Sequence, residues 1–191
     1  MGEPQQLRHD EDQVSFAAAG GTDFFRDPAS TDAIDNAPYL YRDAPSQFTF
    51  SVRVEPEFAS RYDAGAILCY RDPETWVKLA YEYTDLGYPA IVSVVTRERS
   101  DDCNGEPVSG GQVWLKVSRR ETLLGLYYSL DGRQWKMHRL LQIPEPADSA
   151  LGSSGSWRVG VAAQSPTGDA CRVGFRDLSW SDRAVDDFRT G

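Results

Sequence analysis

The stretch from Asp63 to Tyr83 constrains this chain more than any other. Two apolar runs, Ala64–Tyr70 and Trp76–Tyr83, flank Arg71-Asp72-Pro73-Glu74. Proline presets φ near −65°, which suits a type I turn, so the stretch predicts a β-hairpin. Side chains alternate across a strand. Val77, Leu79, Tyr81 and Tyr83 therefore share one face and can fill a core. Trp76, Lys78, Ala80 and Glu82 share the other, which sets an aromatic ring, a cation and a carboxylate on a surface that can meet a ligand.

The same period recurs along the chain. Phe48-Thr49-Phe50-Ser51-Val52-Arg53-Val54 is the plainest half-buried strand. Further strands are predicted at Val14–Phe16, Tyr39–Tyr41, Ile91–Arg97, Gln112–Arg120, Trp157–Ala163, Cys171–Arg176 and Leu178–Trp180. Asp131-Gly132 between Leu124–Ser129 and Trp135–Arg139 is a strong hairpin signal. Loops are expected at 28–38, 57–62, 100–107, 143–155 and 165–169. No segment sustains a helical period and none repeats. About a dozen short strands with regular turn signals indicate an all-β sandwich or barrel.

A chain of 191 residues suits one domain. Residues 1–13 read as a flexible N-terminal lead-in, 14–180 as the sandwich, and 181–191 as a polar C-terminal tail. The net charge of −9 disfavours nucleic acid and anionic membrane partners, which need a basic face. The N-terminus lacks the basic and apolar regions of a signal peptide, and no apolar run approaches a membrane span. Cys69, Cys103 and Cys171 show no Cys-x-x-Cys spacing, and a reduced, cytoplasmic setting is expected.

A resemblance sharpens the fold. Thr22-Asp23-Phe24-Phe25, Tyr62-Asp63-Ala64-Gly65-Ala66 and Trp76-Val77-Lys78-Leu79-Ala80-Tyr81-Glu82 resemble, in that order, the DUF1349 family. Ser93–Thr96, Ser100-Asp101, Ser129–Trp135, Val159–Pro166 and Val173-Gly174-Phe175 extend the likeness over roughly residues 20–180. Two positions depart from the family pattern: Phe25 stands where a Trp is usual, and Asp102 where Ser-Asp is followed by Trp. The resemblance implies a concanavalin A-like jelly-roll sandwich of two antiparallel sheets. It also implies kinship with lectins and glucanases, and with proteins linked to enolase regulation.

In such sandwiches the outward side chains of a concave sheet line a groove. Trp76, Lys78 and Glu82 are the leading ligand-binding candidates, because an indole stacks on a sugar ring while Lys and Glu bond hydroxyls. Trp114 and Lys116 repeat the Trp-x-Lys pattern, and Arg139 joins them. The competing structural explanation is a Lys78–Glu82 ion pair with Trp76 packed under a loop.

The expected function is therefore non-catalytic binding of carbohydrate or a similar polar ligand. The alternatives are a protein-interaction or regulatory domain of a metabolic enzyme, and a glycoside hydrolase or lyase using Glu82. Hydrolysis needs two flanking carboxyl groups, and Glu82 and Asp85 fall on opposite strand faces. No cofactor is expected. His9 and His138 lack zinc spacing, and the oxygen-rich run 101–106 lacks the register of a calcium loop. No nucleophile elbow or phosphate-binding glycine loop is present.

Overall fold

The computed structural model describes residues 1–10, 13–143 and 157–191. Among them are two packed sheets and one small hairpin, and no helix. The larger sheet runs β1 (Gln5–Asp10), β2 (Gln13–Ala19), β15 (Ala170–Ser181), β6 (Gln47–Pro56), β11 (Val113–Arg120), β12 (Leu123–Ser129) and β13 (Lys136–Gln142). The second runs β10 (Arg99–Pro107), β9 (Pro89–Arg97), β8 (Thr75–Tyr83), β7 (Ala64–Asp72), β14 (Arg158–Gln164) and β5 (Tyr39–Asp43). The hairpin pairs β3 (Phe24–Arg26) with β4 (Ala33–Asp35). Every strand pairing is antiparallel, and the whole is a concanavalin A-like jelly-roll sandwich.

The alternating strands β6, β8 and β11 build its core. Phe50, Val52 and Val54 of β6 and Val113, Leu115 and Val117 of β11 face Val77, Leu79 and Tyr81 of β8 across the layers. Phe16 stacks on Phe175 with ring centroids 5.2 Å apart. Cys69 and Cys171 lie in this core as small apolar side chains, and burial pushes both thiols up to about 12.

A second apolar cluster lies on the far side of the six-stranded sheet. There Leu68, Tyr70, Trp76, Ala80, Val92 and Val94 meet Phe24 of the small hairpin. The Phe24 ring packs edge-on against Trp76 at 6.0 Å, Tyr70 at 6.2 Å and Tyr39 at 6.3 Å. Phe24 thus plugs part of the outer face.

Four segments differ from the sequence reading. Residues 5–10 form edge strand β1 on β2 rather than a lead-in, and the expected loop at 28–38 contains β4. The polar stretch expected as a loop at 100–107 is edge strand β10. All three expose most of their side chains and pair through the main chain, so no hydrophobic alternation marks them. The end of the chain also packs: Ala184 and Phe188 are buried, and Tyr127 Oη donates to the Phe188 carbonyl at 2.8 Å. Apart from Ile143, the expected loop at 143–155 and its Gly152–Ser156 turn lie outside the described residues.

Candidate functional site

β8 supplies the two central groups. The strand delivers Lys78 and Glu82 to the outer face of its sheet, two turns of the alternation apart, while β14 beside β7 delivers Gln164. Three connections wall them in. Residues 22–25 enter the hairpin, residues 57–63 join β6 to β7, and residues 165–169 join β14 to β15. Together with β10 they enclose a pocket of about 360 Å³ lined by Asp23, Phe25, Tyr62, Lys78, Glu82 and Asp102, with Val94, Gln164, Pro166 and Thr167 completing it.

Asp63 and Ser165 hold the walls together. The buried Asp63 carboxylate accepts Ser165 Oγ at 2.7 Å and the amides of Ala59 and Ser60 at 2.9 and 2.8 Å. Thr167 Oγ1 donates to the Arg61 carbonyl at 2.7 Å. This network turns Tyr62 into the left-handed region at φ 68°, a conformation a non-glycine residue holds only under constraint. The Tyr62 ring stands part-exposed on the pocket wall.

At the floor, Lys78 is 2% exposed. Its ammonium donates to Gln164 Oε1 at 2.8 Å, the Phe24 carbonyl at 2.9 Å and Asp23 Oδ1 at 3.1 Å. Gln164 Nε2 then donates to the Tyr62 carbonyl at 3.0 Å and to Glu82 Oε2 at 3.4 Å. Burial pushes the Glu82 carboxyl up to about 8; Lys78 pulls it down, while Asp23, Asp102 and Asp85 push it further up. Asp102 reaches solvent at the mouth, yet desolvation and the neighbouring Asp23 and Asp85 raise it against the pull of Lys78.

The structure brings Lys78 and Glu82 together and separates the other sequence candidates. Trp76 shares their face but is 0% exposed, sealed beneath Phe24, with Nε1 on the Pro73 carbonyl at 3.3 Å. It offers no face to a ligand. Trp114 and Lys116 lie on the other sheet. Trp114 donates to Asp177 Oδ2 at 3.2 Å, and Lys116 Nζ sits 3.8 Å from the Trp135 ring centre, where burial lowers it to about 8. Arg139 on β13 bridges to Asp101 on β10 at 3.2 Å, joining the edges of the two sheets. The Trp-x-Lys pattern set a face, and strand pairing, which no short pattern encodes, set the sheet.

The run 101–106 is extended, so its side chains point alternately to opposite sides rather than around one ion. Among the described residues no three His, Cys, Asp or Glu side chains could hold a metal.

Comparison with known proteins agrees with this architecture. Residues 1–183 match the family described as "Protein of unknown function (DUF1349)". The chain belongs to the DUF1349 family. A relative of this DUF1349 chain, Regulation of enolase protein 1 of Saccharomyces cerevisiae (strain ATCC 204508 / S288c), is 28% identical over 182 residues, covering 94% of this chain and 86% of that protein. The crystal structure of a functionally unknown protein from Saccharomyces cerevisiae superposes with a TM-score of 0.86 at 25% identity, covering 97% of this chain and 96% of that one. The GH43 BlXynB protein from Bacillus licheniformis superposes at 0.66 with 16% identity. That likeness is one of fold, and it covers 89% of this chain but only 33% of the GH43 protein.

The site residues that sequence reasoning missed, Asp23, Phe25, Tyr62, Asp102 and Gln164, carried a signal. Each lies in or beside a segment that bears the DUF1349 resemblance. Spread over the chain, those segments meet at one pocket.

Proposed function

We propose that this DUF1349 chain is a non-catalytic binding module whose pocket takes a carbohydrate or a similar polar ligand. The observation that carries the reading is convergence. Segments around residues 23, 62, 78–82, 94, 102 and 164 supply one concave site with aromatic and apolar walls and a polar floor. Such a combination suits a ligand with apolar faces and many hydroxyl groups. Unpaired thiols at Cys69, Cys103 and Cys171 fit a reducing, cytoplasmic setting.

A glycan array tests it. Wild-type protein binds a saccharide class, Tyr62→Ala and Asp102→Asn lose that signal, and Trp114→Ala on the opposite sheet keeps it. An array signal that survives both pocket variants overturns the reading.

The yeast relative's name favours a second reading, a regulatory domain that docks on a metabolic enzyme. Sedimentation of this chain with enolase from the same source tests it; independent sedimentation at micromolar concentrations counts against it. The raised Glu82 carboxyl suits a general acid, so a reducing-sugar assay on array-positive glycans, repeated with Glu82→Gln, checks for hydrolysis or lyase chemistry.

A further inference from the structure

The nitrogen donors on the pocket's lining side chains are already used. An ammonium has three N–H groups. Those of Lys78 go to Asp23, Phe24 and Gln164. The two N–H groups of Gln164 go to Tyr62 and Glu82, and the Thr167 hydroxyl goes to Arg61. Besides the Tyr62 hydroxyl, what the lining keeps for a ligand is carboxyl oxygens. Glu82 is 7% exposed and lines the pocket, and its Oε1 has no hydrogen-bond partner among the described residues. Asp23 Oδ2 has none either, and Asp102 sits across the mouth.

The charges point the same way. Asp23, Glu82 and Asp102 line the pocket with Lys78 as their one cationic neighbour there, and Asp85 adds a fourth acidic influence. The carboxylates do not gather tightly enough for one metal ion among the described residues. A larger cation fits better, one that spreads its N–H donors over several acceptors and lays an apolar ring against Tyr62, Phe25 and Pro166.

We propose that the ligand is an amino sugar, a saccharide whose free ammonium sits between Glu82 and Asp102. This rests on the carbohydrate reading and narrows it. Burial and the acidic neighbours Asp23, Asp102 and Asp85 hold a proton on Glu82, opposed by Lys78. An incoming ammonium reverses that balance, so binding expels the Glu82 proton to solvent as the ion pair forms.

Titration calorimetry at about pH 5.5, where a sugar ammonium stays charged, distinguishes the claims. The probes are a glucosamine trimer, its fully N-acetylated counterpart and spermidine, each in two buffers of different ionisation enthalpy. The glucosamine trimer is expected to bind at least about tenfold tighter than the N-acetylated trimer, with net proton release that falls in Glu82→Gln. Asp102→Asn, on an exposed edge strand, weakens binding without touching the core and serves if Glu82→Gln fails to fold. Equal or tighter binding of the N-acetylated trimer overturns the ammonium claim and leaves the carbohydrate reading standing. Binding of spermidine alone overturns the sugar, and with it both claims. Binding of none of the three, with a neutral glycan positive on the array, overturns only the amino sugar.

Discussion

Lys78 Nζ lies 2.8 Å from Gln164 Oε1, and that bond orients the Gln164 amide so that Nε2 faces Tyr62 and Glu82. One lysine on β8 therefore ties together β14, the residue 57–63 connection and the entry to the hairpin. Replacing it by an apolar chain of similar length leaves Asp23 without its countercharge and takes the lysine's donors from the Phe24 carbonyl and Gln164 Oε1. Lys78→Met is expected to lose about 3–5 kcal/mol of stability, the usual result of breaking a buried pair from one side. Urea denaturation measures it; a loss under about 1 kcal/mol would mean the charge contributes little to holding the site together.

Trp76 fills space, and its variants separate packing from recognition. Trp76→Ala opens a cavity beneath Phe24 and is expected to lower stability by about 3–5 kcal/mol. Trp76→Phe keeps a ring there and leaves saccharide affinity unchanged. A selective loss of affinity in a stably folded Trp76→Phe protein would return this indole to the binding surface.

Tyr62 combines a left-handed backbone with an accessible ring. Glycine takes φ 68° without a Cβ penalty, so Tyr62→Gly relieves strain while it removes the ring. Stability is expected to change by less than about 1 kcal/mol, while saccharide affinity falls on the order of tenfold. Thermal melting and calorimetry on one preparation read both effects.

Glu82 gives the protein a pH signature. Its carboxyl rises from the ordinary 4.5 to about 8 on folding. Between those values the native state holds a proton that the unfolded chain has released, so stability falls as pH rises through that window. Glu82→Gln removes the titrating group and flattens the slope between about pH 5 and 8. Lys116, lowered to about 8, acts in a separate window: the unfolded chain holds its proton longer, so stability rises between about 8 and its ordinary 10.5. Denaturation midpoints against pH for wild type and Glu82→Gln check the first slope; parallel curves would contradict it.

The fold was legible wherever one strand face is buried. The alternations at 48–54, 76–83 and 113–117 became β6, β8 and β11 with the expected residues in the core, except Tyr83, which is half-buried at the end of β8. Asp131-Gly132 turns between β12 and β13, with Asp131 Oδ1 accepting the amides of Arg133 and Gln134 at 2.8 Å. The edge strands β1 and β10 were illegible because nearly all their side chains are polar and exposed, so no apolar alternation marks them. The site was half legible for a related reason. Alternation put Lys78 and Glu82 on an outward face but is silent on what covers that face. Phe24 comes from 52 positions earlier in the chain and seals Trp76, while Asp102 arrives on a strand that reads as a loop.

The most direct measurement follows the pocket itself while a saccharide is added. Backbone and side-chain amide resonances are recorded through a titration with the glycan that scores highest on the array. Saturable shifts are expected only at the pocket, at Asp23, Phe25, Tyr62, Lys78, Glu82, Asp102, Thr167 and the Gln164 side-chain amide. Saturable shifts centred on Trp114 and Lys116 on the opposite sheet, with the pocket unmoved, would contradict that expectation.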